Sequence, residues 1–323
     1  MMMQVGIICG GLSSEYDISV KSATTLLNNF PSGYNPFLVH MSSNGWEIEL
    51  EGEKVAFNEN DFTFLNGDVR SKIDLAIVFI HGDPGENGKI QAYLEMKGIP
   101  YVNSGPLASE LSFDKWFCNQ FIKGFGINVA DSIYLTPRSN KITGKEIVDQ
   151  LGIPVFVKPC DSGSSYGISK ANTLEEILPA IDKAFEEGET VIVEGFLDGT
   201  EVTCGLYRST EGIITLPLTE ISTQNDFFDY EAKYEGLSEE ITPARISDEL
   251  TLKVQEISVE IYQLLRLRSL ARIDFMLVDN VPFVIEVNTI PGFSSESIVP
   301  KMIKESGNSI SEIWAQILEV EVA

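Results

Sequence analysis

The chain has 323 residues, 43% of them hydrophobic and 22% charged. At roughly 100–200 residues per domain that length suggests two or three domains, and the composition excludes a disordered or fibrous chain. Lys and Arg number 23 against 48 Asp and Glu, a formal net charge of −25, which argues against nucleic acid or an anionic membrane as partner but leaves room for a small anion on a few lysines.

The first residues, MMMQVGIICGG, lack a basic stretch ahead of the apolar run, so no secretory leader is expected. Val5 to Cys9 reads as a short buried strand, followed by Gly10-Gly11, a Ser-rich start and an amphipathic helix through about Leu27. Strands follow at Phe37 to His40 and at Leu75 to Ile80, the latter running into His81 and a Gly-rich loop. Gly88 to Met96 then reads as a helix and Ile99 to Val102 as a strand. This first third has an open parallel-sheet pattern, in which ligands sit at the carboxyl ends of strands. The Gly-rich loops at 10–15 and 81–88 fall at such ends.

Beyond Pro106 two helices are expected at about 113–124 and 143–151, then a strand from Pro154 to Val157 that leads into a Gly/Ser loop. A helix at about 174–187 and the strand Val191 to Glu194 follow. The last third holds a strand around Val202 to Tyr207, a polar, aromatic loop at 220–236 and a long helix at about 248–266. A strand pair over 270–288 and two closing helices complete it. The whole reads as α/β or α+β, with boundaries near 103 and 199. No repeat and no run of ~18 apolar residues is present.

Four cysteines, Cys9, Cys118, Cys160 and Cys204, form no CxxC motif. Three of them, Cys9, Cys118 and Cys204, lie in or beside apolar runs as reduced packing residues, in keeping with a reducing compartment. With only His40 and His81 present, a His-based zinc site is nearly excluded.

The strand pair Ala271 to Leu277 and Phe283 to Asn288 carries the strongest chemical signal. A three-residue loop Asp279-Asn280-Val281 sets Asp274 opposite Glu286 and Arg272 opposite Asn288. The other face is then entirely apolar, with Ile273, Phe275 and Leu277 against Val287, Ile285 and Phe283. Opposed carboxylates repel. A divalent cation relieves them, and Asp, Glu and Asn are hard oxygen ligands suited to Mg2+ or Mn2+ beside a nucleotide phosphate. The bland reading is a polar face balanced by Arg272. Lys158, at the end of an apolar strand, precedes the loop Cys160-Asp161-Ser162-Gly163-Ser164-Ser165-Tyr166-Gly167. Converging N–H groups and hydroxyls there suit an anion. The bland reading is a surface turn. Glu194 and Glu201 flank a strand end that could take an adenine and a ribose. The aromatic run Phe227 to Tyr234 reads as a loop anchor or as a lid carrying Lys233 and Tyr234.

Together these segments resemble the ATP-grasp ligases, and closely the D-alanine–D-alanine ligase family. The similarity covers nearly the whole chain, through GGLSSEYDIS, HGDPGENGKIQ, GIPYVNSG, the FDK at 113–115, VKPCDSGSSYGISK, FFDYEAKY, ARIDF, IEVNTIPGF and SESIVPK. The resemblance implies three domains, 1–103, 104–198 and 199–323, with ATP between the second and third. It implies that Lys115, Lys158 and Lys233 bind phosphates and that Glu194, Gly195, Phe196 and Leu197 form an adenine hinge. Glu201 would bind the ribose and Met276 lie beneath the base. Asp274, Glu286 and Asn288 would hold two Mg2+ or Mn2+ ions. Glu15 would hold the first D-alanine's amino group, oriented by Ser164 and Tyr234, with His81 nearby. Arg272 and the Gly292 backbone would stabilise the oxyanion, and Ser297 would bind the second D-alanine's carboxylate. The implied activity is D-alanyl-D-alanine synthesis for peptidoglycan by a cytoplasmic homodimer.

Asn87, Ser162, Tyr166 and Tyr16 depart from the family's usual residues. They bear on fine substrate preference rather than reaction class. Ligases joining D-alanine to D-lactate or D-serine are the nearest alternative, and Tyr234 argues against the first. A catalytically dead nucleotide-binding module would have lost a metal ligand, the Arg or a phosphate lysine, and none is lost. An amino-acid or sugar sensor has only the open sheet in its favour.

Overall fold

Among the described residues, three β-sheets of eight, four and six strands organise the chain. A computed structural model describes residues 2–50, 52–138, 142–161, 167–223 and 238–322. Ser162, Ser164, Tyr166, Lys233, Tyr234 and the aromatic run that contains the last two lie outside the described residues.

In the first sheet Met3–Gly10 pairs in parallel with Tyr34–Ser42 on one side and with Leu75–Val78 on the other, and Leu75–Val78 pairs in parallel with Tyr101–Val102. Val5, Ile7, Ile8 and Cys9 are fully buried, as a strand covered on both faces requires. The expected parallel strands are present, and the sheet continues past them with strands the sequence reading did not include. Gly45–Leu50, Glu53–Asn58, Thr63–Asn66 and Val69–Lys72 extend it as an antiparallel meander beyond Tyr34–Ser42. Their side chains are largely exposed or half-buried, so they show no continuous apolar run in the sequence.

The four-stranded sheet is antiparallel, with Val155–Pro159 and Val191–Gly195 as its inner strands. Two helices flank its core, Gly144–Leu151 and Leu174–Glu187. Thr143 and Glu146 close a reciprocal capping box at the start of the first. The helix expected at 113–124 is Lys115–Lys123, and a further helix, Pro106–Phe113, precedes it. Asp114 ends Pro106–Phe113 and caps Lys115–Lys123 by accepting the Phe117 N–H.

The six-stranded sheet centres on Thr200–Ser209 and Leu270–Val278, and Asp248–Leu264 packs on it. The start of the expected loop at 220–236 is strand instead. Thr219–Thr223 pairs antiparallel with Ser238–Ile241, so the ends of the intervening segment stand side by side. The closing helices Ile298–Glu305 and Ile310–Glu321 bury Val299, Met302, Ile303, Trp314 and Ile317 in the core of the first sheet. That return of the chain brings its two ends together around one cavity. All four cysteines are buried free thiols.

Candidate active site

The chain leaves the first strand toward Tyr34–Ser42 on one side and later fills the other side with Leu75–Val78. The carboxyl ends of these neighbouring parallel strands form a switch point, where a crevice opens. The loops at 10–15 and 81–88 meet there. Ser13 Oγ donates to the His81 carbonyl at 2.9 Å, and the Leu12 N–H donates to the Asp83 carbonyl at 3.2 Å. Glu15 stands at the N-cap position of the helix Tyr16–Asn28, where its carbonyl accepts the Ser19 N–H at 2.9 Å. Gly82 has φ +67, the left-handed region that favours glycine, and a Cβ on it would lie 3.1 Å from Ser13 Oγ and 3.2 Å from Glu15 Oε2.

His81 is 4% exposed. Its Nδ1 lies 3.1 Å from the Ile290 carbonyl and its Nε2 lies 3.0 Å from Ser22 Oγ. A carbonyl only accepts, so the proton is assigned to Nδ1 and Nε2 accepts from Ser22. Burial pushes the His81 pKa down, against the pull of Glu15, so the ring is held neutral.

Glu86 lines the same crevice and was not among the residues expected from the sequence. It accepts the Gly82 N–H at 2.8 Å. Burial pushes its carboxyl up to about 8, reinforced by Glu15 and Glu286. Its only signal in the sequence is an acidic side chain within a Gly-rich loop at a strand end. Beside it, Asn87 and Lys89 both donate to Asp83 Oδ1, each at 2.5 Å.

The hairpin sets the expected pairs by a different route. Its turn has two residues, Asp279 and Asn280, with φ +49 and +63, and Val278 pairs with Val281. A bulge between Asp274 and Phe275 then shifts the register by one. Asp274 still faces Glu286, and Arg272 still faces Asn288. The apolar face is corrected: Phe275 pairs with Val284, while Phe283 stands opposite Met276 rather than in the core.

The expected repulsion is also answered within the protein. Arg272 grips Asp274 through Nε to Oδ1 and Nη2 to Oδ2, both at 2.8 Å. Thr203 Oγ1 donates to Asp274 Oδ1 at 2.5 Å. Glu286 lies 4.0 Å from Arg272 and 3.9 Å from Lys115. Asn288 Nδ2 reaches Asp274 at 3.1 Å and Glu286 at 3.5 Å. Burial works against the Arg272 charge, and Asp274 and Glu286 more than offset it, so its pKa is raised. Asn288 therefore bridges the two cross-strand carboxylates Asp274 and Glu286, and as two carboxylates and an amide the three fit a hard divalent cation.

Lys158 and Glu194 form a second buried pair. Lys158 Nζ donates to Glu194 Oε2 at 2.7 Å, and Asn119 Nδ2 donates to Oε1 at 3.1 Å. Burial disfavours the Lys158 charge, but Glu194 outweighs it and raises the pKa. Glu201 stands opposite Met276 in the ladder, and Gly195, Phe196 and Leu197 continue from the strand bearing Glu194. Phe196 packs near Phe156, ring centroids 6.0 Å apart.

A cavity of about 730 Å³ joins the crevice at the strand ends to the hairpin. Glu15, His81, Lys115, Arg272, Glu286, Asn288, Gly292 and Ser297 all line it, together with Glu86. Asp274 sits behind Arg272. Lys158, Glu194 to Leu197, Glu201 and Met276 do not line it.

Two family models, described as D-ala D-ala ligase N-terminus and D-ala D-ala ligase C-terminus, match residues 4–104 and 121–319. The chain belongs to the D-alanine–D-alanine ligase family. It is 43% identical to a D-alanine–D-alanine ligase of Azobacteroides pseudotrichonymphae, covering 98% of this chain and 99% of the relative. A ligase of that name from Parabacteroides distasonis is 42% identical, covering 100% and 98%. Among solved structures, the VanG D-Ala:D-Ser ligase of Enterococcus faecalis superposes with a TM-score of 0.88 at 31% identity, covering 99% and 100%. The D-alanyl-alanine synthetase A of Vibrio cholerae superposes with a TM-score of 0.87 at 31% identity, covering 100% and 99%. The family, the α/β fold and the ligase class expected from the sequence are borne out.

Proposed function

We propose that this family member joins two D-alanines at the expense of ATP, giving D-alanyl-D-alanine, ADP and phosphate. The observation that carries the reading is the cavity itself: Glu15 and His81 from one end of the chain meet Arg272, Gly292 and Ser297 from the other. A carboxylate is a poor electrophile, so ATP first phosphorylates the first D-alanine to an acyl phosphate. The amine of the second D-alanine then attacks that carbonyl, and phosphate leaves. Glu15 pairs with the first ammonium group, and Ser297, N-cap of Ile298–Glu305, receives the second carboxylate. Arg272 and the Gly292 N–H oppose charge on the tetrahedral oxyanion. An enclosed site keeps water from the acyl phosphate.

In this reading Lys115 and Lys158 bind phosphates, Glu194 to Leu197 hold the adenine, Glu201 the ribose, and Met276 lies under the base. Ser164, Lys233 and Tyr234 keep the roles that the family resemblance gives them. Asp274, Glu286 and Asn288 would hold Mg2+ or Mn2+, two ions, which offset charge on the transferring phosphoryl group. The same proposal divides the chain at about 103 and 199 and includes a cytoplasmic homodimer that supplies peptidoglycan synthesis. Among the described residues no helix is long and apolar enough to cross a membrane.

Phosphate release with ATP, Mg2+ and D-alanine, compared with L-alanine, D-serine and D-lactate, tests the reading. Release that depends on D-alanine alone, with the dipeptide as product, is the expected result. Preference for D-serine as the second substrate would move the chain toward its D-Ala:D-Ser relative.

A further inference from the structure

Ser22 is fully buried and does not line the cavity, although its neighbours Lys21, Thr24 and Thr25 do. Its hydroxyl nonetheless joins three segments. Oγ donates to His81 Nε2 at 3.0 Å and accepts the Phe293 N–H at 3.1 Å, while His81 Nδ1 donates to the Ile290 carbonyl at 3.1 Å. Residues 290 and 293 are thus tied at both ends of the stretch that contains Gly292. Every polar group in this chain of bonds has a partner, and each partner fixes the next one's proton.

We propose that Ser22 is a positioning residue: through His81 and the Phe293 N–H it holds the strap 290–293 against the helix that begins after Glu15. This rests on the ligase reading for its consequence, because the strap lines the cavity through Ile290 and Gly292, and Gly292 carries the N–H that faces the oxyanion in that reading. Ser22 touches no substrate, so its effect passes through the strap. The placement of an oxyanion donor governs the rate of the chemical step more than nucleotide binding.

The test compares Ser22→Ala with Ser258→Ala. Ser258 is an equally buried helix serine whose hydroxyl donates to the Val254 carbonyl at 2.8 Å and meets the Cys204 thiol, and it does not line the cavity. Hydrogen exchange is followed on the protein without substrates, and kcat and KM are measured on the same preparations. Ser22→Ala should speed exchange of the Phe293 amide by roughly tenfold and lower kcat by roughly tenfold, with KM for ATP within about twofold. Ser258→Ala should do neither. Unchanged Phe293 protection in Ser22→Ala overturns the proposal, as does faster exchange with unchanged kcat. If Ser22→Ala fails to fold, Ser22→Cys keeps the volume with a weaker donor and is read the same way. A parent protein with no D-alanine-dependent phosphate release would sink the ligase reading, while the exchange measurement still decides whether Ser22 holds the strap.

Discussion

Arg272 binds Asp274 with two parallel hydrogen bonds of 2.8 Å, and both side chains project from the same face of one strand. The Asp274–Glu286 opposition, taken alone, makes removal of either charge stabilising. The bidentate pair reverses that sign for Asp274.

Asp274→Asn should therefore cost about 1.5–3 kcal/mol of folding stability, because it removes charge-assisted bonds from a buried guanidinium. Glu286→Gln should cost less than about 1 kcal/mol, since its cationic partners lie 3.9 and 4.0 Å away. Both should lower turnover by about a hundredfold or more if they hold the metal. Urea denaturation and phosphate release check the two effects separately. Equal stability losses would refute the asymmetry, and near-parent activity in both variants would remove the metal assignment.

Glu86 gives a pH signature. Its carboxyl is raised from 4.5 to about 8 by burial, so the folded state keeps a proton that the unfolded state loses. The associated stability is complete below 4.5 and is lost as pH rises through about 8, with a slope of up to ~1.4 kcal/mol per pH unit. Glu86→Gln stays neutral and can still accept the Gly82 N–H. The variant should match the parent near pH 4.5 and exceed it in stability by pH 8 to 9. Denaturation curves of constant separation across that range would show that Glu86 is ionised throughout.

Much of this was readable in the sequence, for reasons that differ by element. Val5 to Cys9 is an unbroken apolar run because both its faces are covered. The helix Leu174–Glu187 matches its expected span because its apolar stripe recurs at helical spacing. The meander over 45–72 was missed because its residues are short-paired and half-exposed. Glu86 was missed because its burial comes from the crevice around it rather than from its neighbours in sequence. Arg272 stands across from Asn288, as the strand pattern predicts, but its strongest bond runs to the second residue along its own strand. Counting across the ladder does not show that bond.

The hairpin shows the same limit. A two-residue turn and a bulge together place Asp274 where a three-residue loop without a bulge would place it, so the site residues alone could not tell them apart. Two-residue hairpin turns with both φ values positive favour Asn-Gly or Asp-Gly, and this one has Asp279-Asn280. Asn280→Gly should stabilise the fold by up to about 1 kcal/mol, and Asn280→Val should cost about 1–2 kcal/mol. Thermal and urea unfolding measure both. The opposite order would mean that the chain does not turn at 279–280.

The pair Lys158–Glu194 separates a structural role from a binding role. Lys158→Met leaves Glu194 buried with only Asn119 as the partner described above, and Glu194→Leu leaves a buried ammonium. Each should cost about 3–5 kcal/mol, whereas the double variant, with apolar side chains of similar volume, should recover most of that loss. Affinity for a non-hydrolysable ATP analogue with Mg2+ then decides the role of Lys158. If Lys158 binds phosphate, affinity falls about tenfold or more in Lys158→Met and stays lower in the stable double variant than in Glu194→Leu, which by itself carries any loss from the adenine side. If Lys158 serves only to neutralise Glu194, affinity returns to that level along with stability. Titration calorimetry on the three variants reads the difference, and recovery of affinity in the double variant would take Lys158 off the nucleotide.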